Sequence, residues 1–405
     1  MADQGRGPRT AAGTLAAMLL ALSGCAAPGT ADDGRAEIQT VLDRRAAAVL
    51  AHDSAAYLAE ADPATRGLRE RELRDFDNLA DLPLGSWAYR LTGVRRDGAR
   101  ASADAELSYR IKGYDTGPVS TTRRLTLVER SGRWYVSGDR PADGAAQQLW
   151  QQGDIEVVRG ERSLVLGVGQ PSARLRGIAD VADAAVPAVS AAWPGSWAGR
   201  VVVLVPASLD AMGALLGAEP AGYRGIAAVT TGETGGAPDA PADRVIVNPE
   251  AYGMLGDFGQ RIVLTHETAH VATRTATSPS TPMWLSEGFA DWAAYRDTGR
   301  GAGQAAPELR RAVRDGRGPA ELPTDHDFAF GGDADALARA YEGGWLACEL
   351  IADEWGEEKL TAFYRAVGAH PSRDGAVEKA LADVLGTTPP EFTERWRDYL
   401  RDRLG

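Results

Sequence analysis

Residues 264–270 read LTHETAH. His266 and His270 stand four apart, and Glu267 follows the first directly. On an α-helix, side chains four apart lie one above the other on one face. Two imidazoles at that spacing can therefore grip a single metal ion. Glu267 sits about 100° round the helix from His266. It is badly placed to join the ligands but can reach a water beside the ion. That geometry is why the HExxH pattern spells zinc plus a general base. The surrounding DFGQRIVLTHETAHVATRTAT carries apolar residues at helical spacing and has no Gly or Pro after Gly259, so it predicts a helix. Two surface histidines on an amphipathic helix would share this spelling, and a third ligand must decide.

Two arrangements of that ligand are excluded by the residues themselves. A metzincin needs Gly at 273 and His at 276, where Thr273 and Ala276 stand, and the inverted HxxEH spelling is absent. The next segment, PMWLSEGFADWAAY (282–295), has a helix-start signature, with Thr281 as a candidate cap and Pro282 in the first turn. Glu287 and Asp291 lie four apart within it, among Met283, Trp284, Leu285, Phe289 and Trp292. Two carboxylates on one side of so apolar a helix repel each other and resist burial. A cation between this helix and the first removes both objections. Glu287 is thus the expected third ligand. Asp291 is the expected acceptor for the free ring N–H of a ligating histidine.

HETAH followed by WLSEGFADW resembles the gluzincin branch of HExxH peptidases, which includes the thermolysin-like and aminopeptidase-N-like families. The resemblance is strict over residues 262–295 and follows element order more loosely over 150–405. It implies one zinc ion per chain held by His266, His270 and Glu287. It also implies Glu267 as general base in the hydrolysis of a peptide or protein substrate, and a donor to the oxyanion on a later helix. ARAYEGGWLACELIADEWG (338–356) has that character, and Tyr341 stands where the aminopeptidase-like families carry their tyrosine. His326, in PTDHDFAFGG, is a second candidate donor. The resemblance further implies that a strand before the metal helix, GIAAVTT or DRVIVNP, pairs with extended substrate. The spacer from His270 to Glu287 is sixteen residues, shorter than in aminopeptidase N relatives, and the GxMEN grip on a free amino terminus is missing. Endopeptidase action is therefore the expectation. The alternative is a metal-holding surface lipoprotein that binds or docks without turnover. Loss of Glu267 would signal it, and Glu267 is present.

Arg6 and Arg9 precede the short apolar run AAGTLAAMLLALSG, which ends at Cys25. The run suits a signal-peptide core better than a membrane span. LSGC resembles a bacterial lipobox. It implies a signal peptide over 1–24, lipid on Cys25, a tether over 25–35 and an exported protein on the outer face of the cell membrane. Cys348 is the other of two cysteines, so no intramolecular bridge is available to the mature chain and a buried helical thiol is expected. The net charge of −12 and the lack of a basic stripe argue against nucleic acid as partner.

Residues 36–145 read as helices followed by four strands, and 150–405 as strands followed by helices, so the fold class is α+β. In the first unit, residues 36–61 have helical spacing, with a face begun by Ile38, Val41 and Leu42 and continued by Ala46, Val49 and Leu50, and the stretch after them to residue 85 is punctuated by Pro and Gly. The pattern resembles the cone-shaped nuclear transport factor 2-like fold, with no titratable cluster expected inside. In the second, IEVVRG and RSLVLGVG predict a hairpin, and Pro187 predicts a kink in a long helix. His52 and His370 are expected on the surface, and Tyr364 and Trp396 in the core.

Overall fold

The computed structural model describes residues 34–115, 117–231, 243–330 and 332–405. The leader, Cys25 and all but the last two residues of the tether fall outside them. The fold is α+β. Among the described residues no helix is long and apolar enough to cross a membrane.

Helix α1 (Arg35–Leu50) buries Ile38, Val41, Leu42, Ala46 and Val49 as the spacing requires, but Leu50 turns outward and is 43% exposed. The helix stops at His52, whose φ of 54° is left-handed and incompatible with continuation. Asp53 then caps α2 (Ser54–Ala59) by accepting the Ala56 N–H at 2.9 Å. The stretch read as merely punctuated contains α3 (Leu68–Ala80), with Leu68, Glu72, Phe76 and Leu79 buried at intervals of four and three. Strands β1 (Leu84–Asp97), β2 (Arg100–Ile111), β3 (Val119–Arg130) and β4 (Arg133–Pro141) form an antiparallel meander. Burial alternates along β2, and a register shift at Leu91/Gly93 bends β1.

The interior of this unit holds titratable groups, contrary to expectation. Arg45, fully buried, donates to Glu72 and to the Tyr57 hydroxyl, each at 2.6 Å. Arg123, 2% exposed, lies 2.7 Å from Asp139. The pairs join residues 27 and 16 positions apart, beyond the reach of any local pattern.

The second sheet has five strands. Strands β5 (Ile155–Arg159) and β6 (Ser163–Val168) make the expected hairpin, and α4 (Ser172–Ala192) crosses to β7 (Val201–Val205), which lies parallel to β6. Helix α4 runs as one element through Pro187. After α5 (Leu209–Leu216), β8 (Ala228–Thr230) takes the edge, while β9 (Val245–Val247) sits between it and β7. The sheet is buried on both faces. Val165, Val203 and Val245 pack on Leu175, Ile178 and Leu264 of the helical side. Leu164, Leu166, Val202 and Ile246 pack on Tyr109, Trp150 and the meander. A strand flanked on both sides reads as an unbroken apolar run, as RVVVLV does.

The rest is helical: α6 (Pro249–Gly253), α7 (Asp257–Thr273), α8 (Met283–Tyr295), α9 (Ala302–Ala305), α10 (Pro307–Arg314), α11 (Ala334–Trp355), α12 (Glu357–Gly368), α13 (Ala376–Ala380) and α14 (Pro389–Leu404). Tyr364 and Trp396 lie in its core as expected, and the Trp396 indole donates to the Gly343 carbonyl. Cys348 is buried against Leu285, and burial pushes its thiol pKa up.

Helices α8 and α11 cross at glycines. A Cβ on Gly288 would overlap the Gly344 carbonyl, and one on Gly344 would stand 2.7 Å from the Trp284 carbonyl oxygen. The residue before Gly288 is Glu287. Gly288→Ala is therefore expected to push the helices apart, cost on the order of 1–3 kcal/mol and lower Tm. Gly177→Ala, on the open side of α4 where a Cβ meets nothing within 4 Å, is expected to be neutral or stabilising. Thermal melts of the two variants check this.

Candidate metal centre

Helix α7 presents Leu264, Ala269 and Ala272 to the core and carries His266 and His270 on the side facing α8. A tight connection brings the chain back. Thr277 shares a 2.7 Å hydrogen bond with the Tyr364 hydroxyl, and Ser280 donates to the His370 carbonyl at 2.7 Å. Helix α8 starts differently from the expectation. Thr281 accepts from Ser278 N–H and does not cap the helix. Asp325, from the 3₁₀ turn Asp325–Phe328, accepts the Met283 N–H at 2.9 Å instead. No pattern within 282–295 could reveal a cap 42 residues away.

The three predicted ligands converge. His266 Nε2 lies 3.0 Å from His270 Nε2 and 3.2 Å from Glu287 Oε2, and His270 Nε2 lies 3.5 Å from the same oxygen. Three donors each about 2.0–2.1 Å from one tetrahedral zinc stand roughly 3.3–3.4 Å apart. The observed triangle has those proportions, and two neutral imidazoles with one carboxylate are a donor set zinc accepts. Glu287 is 2% exposed and His270 7%, so these two donors are withdrawn from solvent. Asp291 lies 2.8 Å from His266 Nδ1. With the Nδ1 proton shared with Asp291, the Nε2 lone pair is turned towards the other two donors.

Electrostatics fit this arrangement. Burial alone would lower the His266 pKa, but the Asp291 and Glu287 carboxylates outweigh it and push it up to about 10. Burial would raise Glu287, yet His270 and His266 hold its carboxyl well below the usual range.

Glu267 is 5% exposed. The Thr230 hydroxyl donates to its Oε2 at 2.7 Å, tying the carboxylate to β8. Thr230 was not among the residues the sequence singled out, because nothing local to AAVTT refers to a glutamate 37 positions on. Tyr341, half-buried on α11, is brought to the centre, its ring 6.3 Å from that of His266 and edge-on to Phe328 at 5.1 Å. Its neighbour Glu342 caps α10 through the Glu308 and Leu309 N–H groups. There burial pushes the Glu342 pKa up to about 7. His326 is exposed on the turn that carries Phe328 and does not join the triangle. His52 is exposed and His370 half-buried in its turn, both apart from the three donors.

The raised His266 pKa sets a pH dependence. In the metal-free protein the folded pKa exceeds the ordinary 6.5, so the ion pair stabilises the fold fully below that value and fades as pH rises through about 10. Zinc needs the ring nitrogen without its proton. Loading is expected to release about one proton from His266 near pH 7, and zinc affinity to rise between pH 6 and pH 9. Calorimetric titration in buffers of different ionisation enthalpy measures both, and zero release would contradict a proton held by His266 at neutral pH in the metal-free protein.

No family model matches this chain, and no curated protein matches it. Among solved structures, a SEC-C-motif-containing protein from Rhodopseudomonas palustris is similar at 24% identity over 24% of this chain and 72% of its own. Its TM-score of 0.19 carries no argument about fold or function.

Proposed function

We propose that this chain is an exported zinc metallopeptidase that hydrolyses internal peptide bonds, held to the outer face of the membrane by lipid on Cys25. The observation that carries the proposal is the triangle of His266, His270 and Glu287 at 3.0–3.5 Å, with Asp291 behind it and Glu267 beside it. Bound to those three residues, zinc supplies a Lewis acid and draws the pKa of water towards neutrality. Glu267 accepts the proton of the attacking water and passes it to the leaving nitrogen. Tyr341 donates a hydrogen bond to the carbonyl oxygen as negative charge develops there. Strand β8 has no further strand beside it among the described residues and contacts α7, whereas β9 is enclosed on both edges. Of the two candidate strands, β8 is therefore the one to which an extended peptide adds. Main-chain pairing of this kind recognises backbone and imposes little sequence preference.

The test uses soluble protein beginning at Ala26, purified without chelator. Zinc per chain and cleavage of a broad peptide library are measured together. Wild type and Glu267→Gln are expected to hold one zinc, and His270→Ala to lose it. Glu267→Gln is expected to cut at least about a hundredfold more slowly than wild type. Zinc without cleavage in wild type would favour a binding lipoprotein, and absence of zinc after add-back would refute the metal centre.

A further inference from the structure

The β8–β9 hairpin is gripped from both sides. Towards the metal helix, Thr230 Oγ1 lies 2.7 Å from Glu267 Oε2 and 3.1 Å from the Glu267 carbonyl oxygen. A hydroxyl has one proton to give, and the closer, charged acceptor takes it. Towards the N-terminal unit, Arg244 forms a two-point ion pair with Asp115: Nη1 to Oδ1 at 2.8 Å and Nη2 to Oδ2 at 2.8 Å. The Asp115 side chain is fully buried and that of Arg244 is 8% exposed. Asp115 is itself fixed, because its Oδ2 accepts the Ile111 N–H at 2.7 Å at the end of β2.

The two grips are connected through neighbouring backbone. Thr231 N–H donates to the Arg244 carbonyl at 2.9 Å, and Arg244 N–H donates to Thr231 Oγ1 at 2.7 Å. Thr230 is in register with Val245. A displacement of Arg244 is therefore passed to Thr231 and Thr230 without an intervening flexible segment. A buried, bidentate arginine–carboxylate pair has little freedom to slide, so it defines a position as well as an attraction. A glutamate has three side-chain torsions, and a carboxylate used as a base must be held within a fraction of an ångström.

We propose that the N-terminal unit positions the general base. Asp115 holds Arg244, Arg244 holds the end of β8, and Thr230 aims the Glu267 carboxylate. This inference rests on the metallopeptidase reading and gives residues 36–145 a role in the chemistry beyond spacing. Asp115, Arg244 and Thr230 are positioning residues, each acting through another group.

The test reads Glu267 without needing the natural substrate. Acetohydroxamate chelates zinc and hands its proton to a neighbouring carboxylate, so its affinity reports whether that carboxylate is in place. Full-length soluble chain from Ala26 is loaded with zinc, and zinc per chain, Tm and acetohydroxamate Kd are measured for wild type, Thr230→Val, Thr230→Ser, Asp115→Asn, Arg244→Lys and, as control, Glu267→Gln. All variants are expected to keep one zinc. Thr230→Val should weaken acetohydroxamate about tenfold, with Thr230→Ser restoring it to within about twofold. Asp115→Asn and Arg244→Lys should weaken it several-fold. Arg244→Lys keeps a buried charge opposite Asp115 and loses only the second contact point, so it reports even if Asp115→Asn does not fold. Wild-type affinity in Thr230→Val would overturn the role of Thr230. Loss in Thr230→Val with wild-type affinity in Arg244→Lys would overturn the role of the N-terminal unit. Wild-type affinity in Glu267→Gln, or no zinc in wild type, would instead sink the underlying assignment of the base or the metal, and the inference with it.

Discussion

Two imidazole nitrogens and a carboxylate oxygen meet within 3.5 Å inside an apolar helical core, and the surrounding structure serves to keep them there. Buried polar groups this close are tolerable only when a shared positive charge or a proton network satisfies them. That requirement explains features that would otherwise look unrelated. Helix α8 must approach α11 closely enough that only glycine fits at 288 and 344. Asp291 must stand behind His266 to orient its ring. The connection between α7 and α8 must be tied at Thr277 and Ser280 so that Glu287 arrives at the right height.

A second level of order lies outside the helices. The five-stranded sheet is a middle layer, with α4 and α7 on one face and the antiparallel meander on the other. Its hairpin β8–β9 touches both the carboxylate of Glu267 and, through Arg244, the end of β2. A chain of hydrogen bonds thus runs from Asp115, just after β2, through the hairpin to α7. The core itself follows suit, because the apolar cluster under the meander includes Leu166, Val202 and Ile246 of the second sheet.

What was legible in the sequence was what is local. His266, Glu267 and His270 are readable because helical geometry converts spacing into direction, and Glu287 and Asp291 because charge inside an apolar helix demands a reason. The hairpin of β5 and β6, the buried strand β7 and the meander follow from period and turn residues. Helix α3 was hidden because its arginines and acids leave few apolar markers. The outward turn of Leu50, the cap at Asp325, the Thr230–Glu267 bond and the Asp115–Arg244 pair were not legible, since each depends on a partner brought near only by the fold. The Arg45–Glu72 and Arg123–Asp139 pairs escaped for the same reason.

The doubly covered sheet also bears on how the protein can be divided. Leu164, Leu166, Val202 and Ile246 face the meander, and Tyr109 and Trp150 close over them. A chain cut down to residues 150–405 would present that strip to water as a contiguous apolar patch. Self-association would then compete with folding. The two units are therefore parts of one packed body: removing residues 36–145 would strip the sheet that flanks α7 of its cover on that face.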